Sequence, residues 1–239
     1  MRLCLALSTF GMGAAVLGPA QAQGPGGEPK AAARNAAPPD PSLAPIQDDP
    51  ALPRVLLIGD SISMGYTLPV RGLLKGKANV HRIPENGGPT TTGVASLSAW
   101  LGNGPWQVIH FNWGLHDVKM DENGKHQVPI EQYEANLRKL VGQLQTTGAR
   151  LIWASTTPVP DAGVSPPRRN ADVLGYNAVA KRIMDEHKIA TDDLYSVAFP
   201  RLDELELPAN VHFKRGGYET LAKAVAESIE AELAKSSAR

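Results

Sequence analysis

The chain has 239 residues, and its 24 basic and 24 acidic side chains leave it without net charge at pH 7. No run of lysine or arginine stands out, which argues against nucleic acid as a partner. The one cysteine is Cys4. Cys4 lies in an N-terminal segment that we expect to be cleaved, so the mature chain would have neither disulfides nor a cysteine nucleophile.

The first 22 residues have the pattern of a secretory signal peptide. Met1-Arg2 supplies a positive start, the stretch from residue 3 to 18 is apolar, and Ala20-Gln21-Ala22 matches the small-x-small cleavage pattern. About 16 apolar residues are too few for a typical membrane span, although an uncleaved anchor is the alternative. We therefore expect a periplasmic or secreted protein, with no stable membrane insertion after cleavage of the signal.

Residues 23–53 are dominated by proline, alanine and glycine, including Pro38-Pro39 and Pro50. Such a stretch buries too little apolar surface to offset the entropy lost on ordering, so we predict a disordered linker. Residues 54–235 remain as the folded domain, and their number suits one domain.

Apolar runs and helical spacings alternate along this domain. Strands are predicted at 54–58, 78–84, 107–111, 150–154 and 189–194, and helices after Ser61 and at 94–101, 130–144, 170–187 and 216–233. The run Val55-Leu56-Leu57-Ile58 is typical of a parallel strand covered on both faces. The alternation predicts an α/β fold, a three-layer α/β/α sandwich with a parallel central sheet.

Gly59-Asp60-Ser61 follows the first strand directly. Ligands bind beyond the carboxyl ends of the strands in such sheets, and a serine there can present its hydroxyl beside a helix N-terminus. Ser61 could instead be a simple N-cap, a role that serine often fills.

Other polar segments follow the later strands. Acyl transfer needs a nucleophile, a base and donors to the oxyanion. Ser61 and His212 could supply the first two, and Gly87 or Gly88 with the region around His116 could supply the third. Taken singly, each histidine could be a surface or capping residue and each glycine a plain turn.

These motifs resemble those of the SGNH, or GDSL-type, hydrolases over about residues 54–233. Gly59-Asp60-Ser61 matches the first family block, Asn86-Gly87-Gly88 the second, and Val211-His212-Phe213 with Gly217-Tyr218 the last. The resemblance implies a flavodoxin-like fold, Ser61 as nucleophile and His212 as base. It also implies that the N–H of Gly88 donates to the oxyanion, with Gly87 as the alternative.

The third family block is altered in this chain. It reads Gly114-Leu115-His116-Asp117, with histidine where the family has the asparagine that donates to the oxyanion. An imidazole N–H can donate as an amide does, so we place Ser61, Gly88 and His116 in the oxyanion hole. Asn112 is an alternative donor, and we interpret Asp117 as a structural residue of the loop.

The last family block lacks its aspartate. Ala209 stands three residues before His212, where the family has the carboxylate that orients the histidine. Asn210 is one position away, so we expect its side chain to point elsewhere. Either a main-chain carbonyl orients His212, or another carboxylate reaches it. The candidates for that carboxylate are Asp203, Glu204 and Glu206.

The sequence therefore predicts an exported serine esterase without a cofactor, acting on short acyl esters such as O-acetyl groups on a small molecule or a carbohydrate. Alternatives are a thioesterase or lysophospholipase, and a non-catalytic carbohydrate- or cell-wall-binding module. A metal enzyme is a weaker hypothesis that rests on His110, His116, Asp117 and His126. Three tryptophans near the site could stack on sugars or pack in the core: Trp100, Trp106 and Trp113.

Overall fold

The structure is a computed structural model that describes residues 40–237. Five parallel strands form one sheet in the order β2-β1-β3-β4-β5. The strands are β1 (Arg54–Ile58), β2 (Asn79–Arg82), β3 (Val108–Phe111), β4 (Arg150–Ala154) and β5 (Ala190–Asp192). Every predicted strand is present, and its ends lie within two residues of the prediction.

Helices cover both faces of the sheet. They are α1 (Ser61–Leu73), α2 (Thr90–Leu101), α3 (Ile130–Gln145), α4 (Asn170–His187), α5 (Leu194–Ala198), α6 (Leu202–Leu205) and α7 (Arg215–Ser237). Helix α1 packs against α7, whereas α2 packs against α3 and α3 against α4. This confirms the predicted three-layer α/β/α sandwich. The sequence did not predict α5 and α6, which are too short to show a helical repeat.

Burial explains why the central strands form. Val55, Leu56, Leu57 and Ile58 of β1 are at most 2% exposed, because helices cover both faces of a parallel strand. Removing each such side chain from water stabilises the fold by about 1.5–3 kcal/mol. Strand β1 thus holds the turn that follows it in a fixed place.

The strand order positions the site. Strand β1 lies between β2 and β3, so the chain adds β2 on one side of β1 and then crosses over to add β3 on the other side. In this flavodoxin-like arrangement, the connections after β1 and β3 leave the sheet in opposite directions and open a crevice at the carboxyl ends of those strands. The loops that carry Ser61 and His116 border this crevice.

The structure differs from the prediction at the end of the proposed linker. Asn79 accepts a hydrogen bond from the N–H of Asp49 at 2.9 Å and donates to the carbonyl oxygens of Asp49 and Leu52 at 2.8 and 3.1 Å. Arg71 donates to the carbonyl of Ala44 at 3.1 Å. Residues 44–52 therefore lie on the domain, held by polar contacts that an argument from apolar burial misses.

The predicted signal peptide, residues 1–22, and residues 23–39 of the predicted linker lie outside the described residues. Among the helices of residues 40–237, none combines the length and the apolar character needed to cross a membrane.

Two glycines of α1 allow a test of the packing between α1 and α7. A β-carbon at Gly65 would lie 2.1 Å from the ring of Tyr218, whereas one at Gly72 would meet nothing within 4 Å. Gly65→Ala is expected to lower the free energy of unfolding by about 1–3 kcal/mol through overpacking. Gly72→Ala is expected to raise it by about 0.5–1 kcal/mol. Urea denaturation of both variants measures the difference, and equal effects would contradict the packing.

Candidate active site

Ser61 is the first residue of α1, and its neighbour serves as the cap. Asp60 is the N-cap, and its carboxylate accepts the N–H of Ile62 at 2.9 Å. The buried side chain of Arg82 donates to the carbonyl oxygens of Gly59 and Asp60, each at 2.9 Å. The turn is therefore held from both sides, and the hydroxyl of Ser61 is not needed for capping.

The structure brings His212 to Ser61. His212 Nε2 lies 2.9 Å from Ser61 Oγ, across 151 residues of sequence. His212 sits in the loop before α7, where its carbonyl accepts the N–H of Leu207 at 2.9 Å and the bridge between Glu206 and Phe213 closes the loop. The distance suits transfer of the Ser61 proton to an imidazole.

Asn210 holds the other side of the His212 ring, contrary to our expectation that it points elsewhere. Its Oδ1 accepts the main-chain N–H of His212 at 3.0 Å and lies 2.7 Å from His212 Nδ1. A main-chain N–H can only donate, so the atom that it faces is the amide oxygen. Nδ1 therefore carries the ring proton, and Nε2 is left to accept from Ser61.

The three carboxylates considered as partners for His212 have other surroundings. Glu204 pairs with Arg201. Glu206 is buried, and neither of its carboxyl oxygens has a hydrogen-bond partner among the described residues. Asp203 is exposed and interacts with Lys214 through its main-chain carbonyl. The amide of Asn210 thus occupies the place that the family gives to a carboxylate.

The two candidate glycines differ in how their N–H groups are used. Gly87 N–H donates to the carbonyl of Gly59 at 2.9 Å, and a β-carbon there would lie 2.8 Å from that oxygen. Gly88 has a φ of 57° and donates to the side chain of Asn86 at 2.9 Å. The Asn86 amide is half-buried and can rotate away, whereas the Gly59 carbonyl is fixed. Gly88 is therefore the better candidate donor.

The surroundings of His116 favour its neutral form and one tautomer. Burial lowers the pKa of His116. Lys119, Arg168 and His212 lower it further through their positive charge, whereas the negative charge of Asp60 raises it. The Nζ of Lys119 lies 3.0 Å from His116 Nδ1. An ammonium group has only donors, so Nδ1 accepts and the ring proton sits on Nε2. His116 can then donate from Nε2 without being charged.

Two polar neighbours of His116 have structural roles. The amide of Asn112 donates to Ala154 O at 2.8 Å and to Thr156 Oγ1 at 3.2 Å, so the alternative oxyanion donor is already engaged. Asp117 accepts from the N–H of Thr90 at 2.9 Å and from its hydroxyl at 2.5 Å. It caps α2 in place of Pro89, and burial raises the pKa of its carboxyl to about 7.

The residues suggested as metal ligands are not grouped in the structure. His110 is fully buried and pairs with Asp192 at 2.9 Å, and His126 pairs with Asp172 at 3.1 Å. Within residues 40–237, no set of three histidine, cysteine, aspartate or glutamate side chains is arranged to hold a metal ion.

A model of the GDSL-like lipase/acylhydrolase family matches residues 57–220. The chain belongs to this family. It is therefore a carboxylic ester hydrolase, and the resemblance found in its motifs is confirmed. Among curated proteins, no sequence matches the chain.

Solved structures share the fold of this GDSL-like hydrolase. The lipase/acylhydrolase from Enterococcus faecalis is 21% identical with a TM-score of 0.65, over 75% of this chain and 96% of that one. The acetyl xylan esterase AlAXEase is 14% identical with a TM-score of 0.64, over 74% and 99%. Axe2, an acetylxylan esterase from Geobacillus stearothermophilus, is 22% identical with a TM-score of 0.61, over 74% and 94%.

The sequence missed one contact of this GDSL-like site and misjudged another. Lys119 stands three residues after His116, a spacing that places two side chains on one side of a helical turn. This spacing is too common in sequences to predict a contact. Asn210 lies one position from the family's aspartate, so the motif alone predicts no contact between its side chain and His212. Of the three tryptophans, Trp100 and Trp113 are at most 6% exposed, so both pack in the core.

Proposed function

We propose that this protein is an exported serine esterase that hydrolyses short acyl esters, in particular O-acetyl esters on a carbohydrate. One observation carries the proposal: the hydrogen-bonded series from Ser61 through His212 to Asn210, with distances of 2.9 and 2.7 Å. A nucleophile, its base and a third group that orients the base are the parts that nucleophilic acyl transfer requires.

The reaction follows from the tautomer of His212. Nε2 takes the hydroxyl proton as Ser61 Oγ attacks the ester carbonyl carbon. His212 then gives that proton to the leaving alcohol as the C–O bond breaks, which leaves an acyl group on Ser61. Water then attacks the acyl carbon while His212 takes a proton from the water. His212 returns that proton to Ser61 Oγ as the bond between Oγ and the acyl carbon breaks, which releases the acid and restores Ser61.

Three donors would stabilise the oxyanion. The main-chain N–H of Ser61 belongs to the first turn of α1, where N–H groups have no acceptor within the helix and the helix dipole favours negative charge. Gly88 N–H would exchange the Asn86 oxygen for the oxyanion. His116 would donate from Nε2, and the ammonium of Lys119 at its Nδ1 would make that N–H a stronger donor.

Replacement of Asn210 tests the orientation of the base. Asn210→Ala is expected to lower kcat/KM by about 10- to 10²-fold, because His212 can then rotate and exchange tautomers. Asn210→Asp keeps the acceptor and adds a charge that favours the imidazolium, so activity is expected to persist and the acid limb of the pH–rate profile to move to higher pH. An unchanged profile in Asn210→Asp would contradict this role.

Proteins of the same fold support the choice of acyl group. Two of the proteins that share the fold are described as acetylxylan esterases, and one as a lipase/acylhydrolase. Because the chain is an ester hydrolase of this family, we do not propose a non-catalytic binding module. The proposal that the protein is exported rests on the signal-peptide pattern of residues 1–22.

One observation favours the second candidate, a thioesterase or lysophospholipase. A mainly apolar groove of about 790 Å³ runs between α1 and α7, and its lining includes Gly65, Leu68, Leu73 and Tyr218 together with three charged residues of α7. Leu68 and Leu73 are 44% and 43% exposed. Gly65 is four residues after Ser61 and lies on the same face of α1, so a long acyl chain could follow this face.

Chain-length dependence separates the two candidates. Purified protein is assayed with the p-nitrophenyl esters of acetate, butyrate and octanoate, and for release of acetate from acetylated xylan. The proposal expects kcat/KM to be highest for acetate and to fall with chain length. A maximum at octanoate would select the second candidate, and Leu68→Asp should then abolish the preference. Failure to hydrolyse any of these esters would refute the proposed function.

A further inference from the structure

A second cavity lies beside the loop that carries the catalytic base. Its volume is about 380 Å³, within the range of about 300–1,000 Å³ found for small-molecule sites. Its walls include Asp161, Asn170, Phe199, Asp203, Glu206 and Ala209, together with leucine, valine and proline side chains. None of these residues belongs to the series formed by Ser61, His212 and Asn210.

Phe199 gives this cavity an accessible aromatic face. Its side chain is 50% exposed, whereas most other large aromatic side chains of the domain are buried. The ring stacks on Tyr195, with centroids 5.3 Å apart and an interplanar angle of 17°. Asn170 donates to the hydroxyl of Tyr195 at 2.8 Å. The backing ring and its hydrogen bond fix the orientation of Phe199 and leave its other face to a ligand.

The polar walls select a particular kind of ligand. Asp161 and Asp203 are exposed, and neither forms an ion pair with any described residue. Glu206 lies deeper in the wall, with both carboxyl oxygens shielded from solvent, and burial raises its pKa to about 8, which disfavours a further negative charge there. None of the described residues that line the cavity is basic. A ligand with many hydroxyls and no negative charge fits this set.

An aromatic face beside hydroxyl-binding carboxyl groups suits a sugar ring. The C–H bonds on one side of a pyranose carry partial positive charge, and the face of an aromatic ring is negative. The hydroxyls at the ring edge can donate to Asp161 and Asp203. Acidic sugars would be repelled by the same carboxylates.

The cavity shares a loop with His212. Ala209 is in its wall and directly precedes Asn210, which holds His212. Ala209 has a φ of 52°, so the chain turns sharply between the cavity and the catalytic loop. A sugar chain whose ester lies at Ser61 could therefore place a neighbouring ring in the cavity.

We propose that this cavity is a subsite for a neutral sugar residue of the glycan that carries the ester, with Phe199 as the stacking surface. The proposal rests on the proposed function, since it places a second part of the same substrate. It adds a specificity residue far from Ser61 in sequence and predicts that short synthetic esters do not use it.

Binding is measured first, without turnover. The full chain with Ser61→Ala is titrated calorimetrically with xylotetraose, cellotetraose, mannotetraose and, as an acidic sugar chain, tetragalacturonic acid. At least one neutral tetrasaccharide is expected to bind, and Phe199→Ala in the same background is expected to weaken that binding by about tenfold. Absence of binding by all three neutral chains, or stronger binding of tetragalacturonic acid, would overturn the proposal.

Kinetics then separate this inference from the proposed function. Phe199→Ala is expected to lower kcat/KM for the acetylated form of the bound tetrasaccharide by about tenfold, mainly through KM, and to leave p-nitrophenyl acetate hydrolysis unchanged. Phe199→Tyr, which keeps the ring, should behave as wild type. Leu174→Ala, at a site with similar exposure of 49% on α4, should have no effect on either substrate.

Each other outcome has a distinct meaning. Equal kcat/KM for wild type and Phe199→Ala on the acetylated oligosaccharide would overturn the sugar subsite and leave the esterase in place. Equal losses on both substrates would show a structural role for Phe199 and would also overturn the subsite. Lack of p-nitrophenyl acetate hydrolysis by the wild type would instead refute the proposed function.

Discussion

Ser61→Ala is expected to lower kcat for p-nitrophenyl acetate by about 10⁴- to 10⁶-fold, because the variant has no atom that can form the acyl intermediate. His212 would keep its place through Asn210, and the donors around the oxyanion would remain, so a small residual rate above water is expected. Steady-state assays at neutral pH measure the loss. Mass spectrometry after treatment with an organophosphate should show one adduct, on Ser61, in wild type and none in Ser61→Ala.

Ser63 offers a matched control on the same helix. Ser63 is 2% exposed and lies two residues from Ser61. Ser63→Ala therefore makes the same chemical change, loss of a serine hydroxyl, without removing the nucleophile. This variant should form the organophosphate adduct and keep a rate close to that of wild type. A Ser61→Ala enzyme as active as the Ser63→Ala enzyme would show that another group attacks the ester.

His116→Ala is expected to lower kcat by about 10²- to 10³-fold with little change in KM, as is usual when one donor to an oxyanion is removed. The donor acts mainly in the transition state, so ground-state binding should persist. His116→Asn restores the side chain that the family has at this position and should recover most of the activity. Single-turnover acylation rates, followed by stopped flow, give the effect on the chemical step directly.

Lys119 provides the control for the tautomer. Lys119→Met keeps the length of the side chain but removes the donor to His116 Nδ1, so the ring is free to place its proton on either nitrogen. We expect an intermediate loss in this variant and no further loss when it is combined with His116→Asn. Full additivity of the two changes would mean that Lys119 acts on the substrate and not through His116.

The sequence predicted the parts of this protein that depend on local pattern. The apolar run of β1 and the spacing of α3 and α4 carry their structure in a few residues, and the elements lie where they were expected. The short helices α5 and α6 were missed because four or five residues hold no periodic signal. The composition of residues 44–52 predicts linker because their contacts with Asn79 and Arg71 are polar and distant in sequence.

The residues of the candidate site could be inferred from the sequence as far as its motifs extend. Gly59-Asp60-Ser61 and Val211-His212-Phe213 indicated the two groups that the structure places 2.9 Å apart. The role of Asn210 was not predictable, because it depends on the positive φ of Ala209, a conformation that alanine rarely adopts. That turn directs the next side chain to the imidazole. The cavity at Phe199 was likewise not predictable from the sequence, since its walls come from segments spread over about fifty residues of the chain.

The segment at residues 44–52 has a consequence for the solubility of the domain. Strand β2 is the outermost strand on its side of the sheet, and an open edge of this kind can recruit a strand from another molecule. Asp48 and Asp49, through His81 and Asn79, keep the segment beside that edge. A recombinant protein that starts at Arg54, where the sequence predicts the start of the domain, would expose the free edge of β2 and is expected to aggregate more readily.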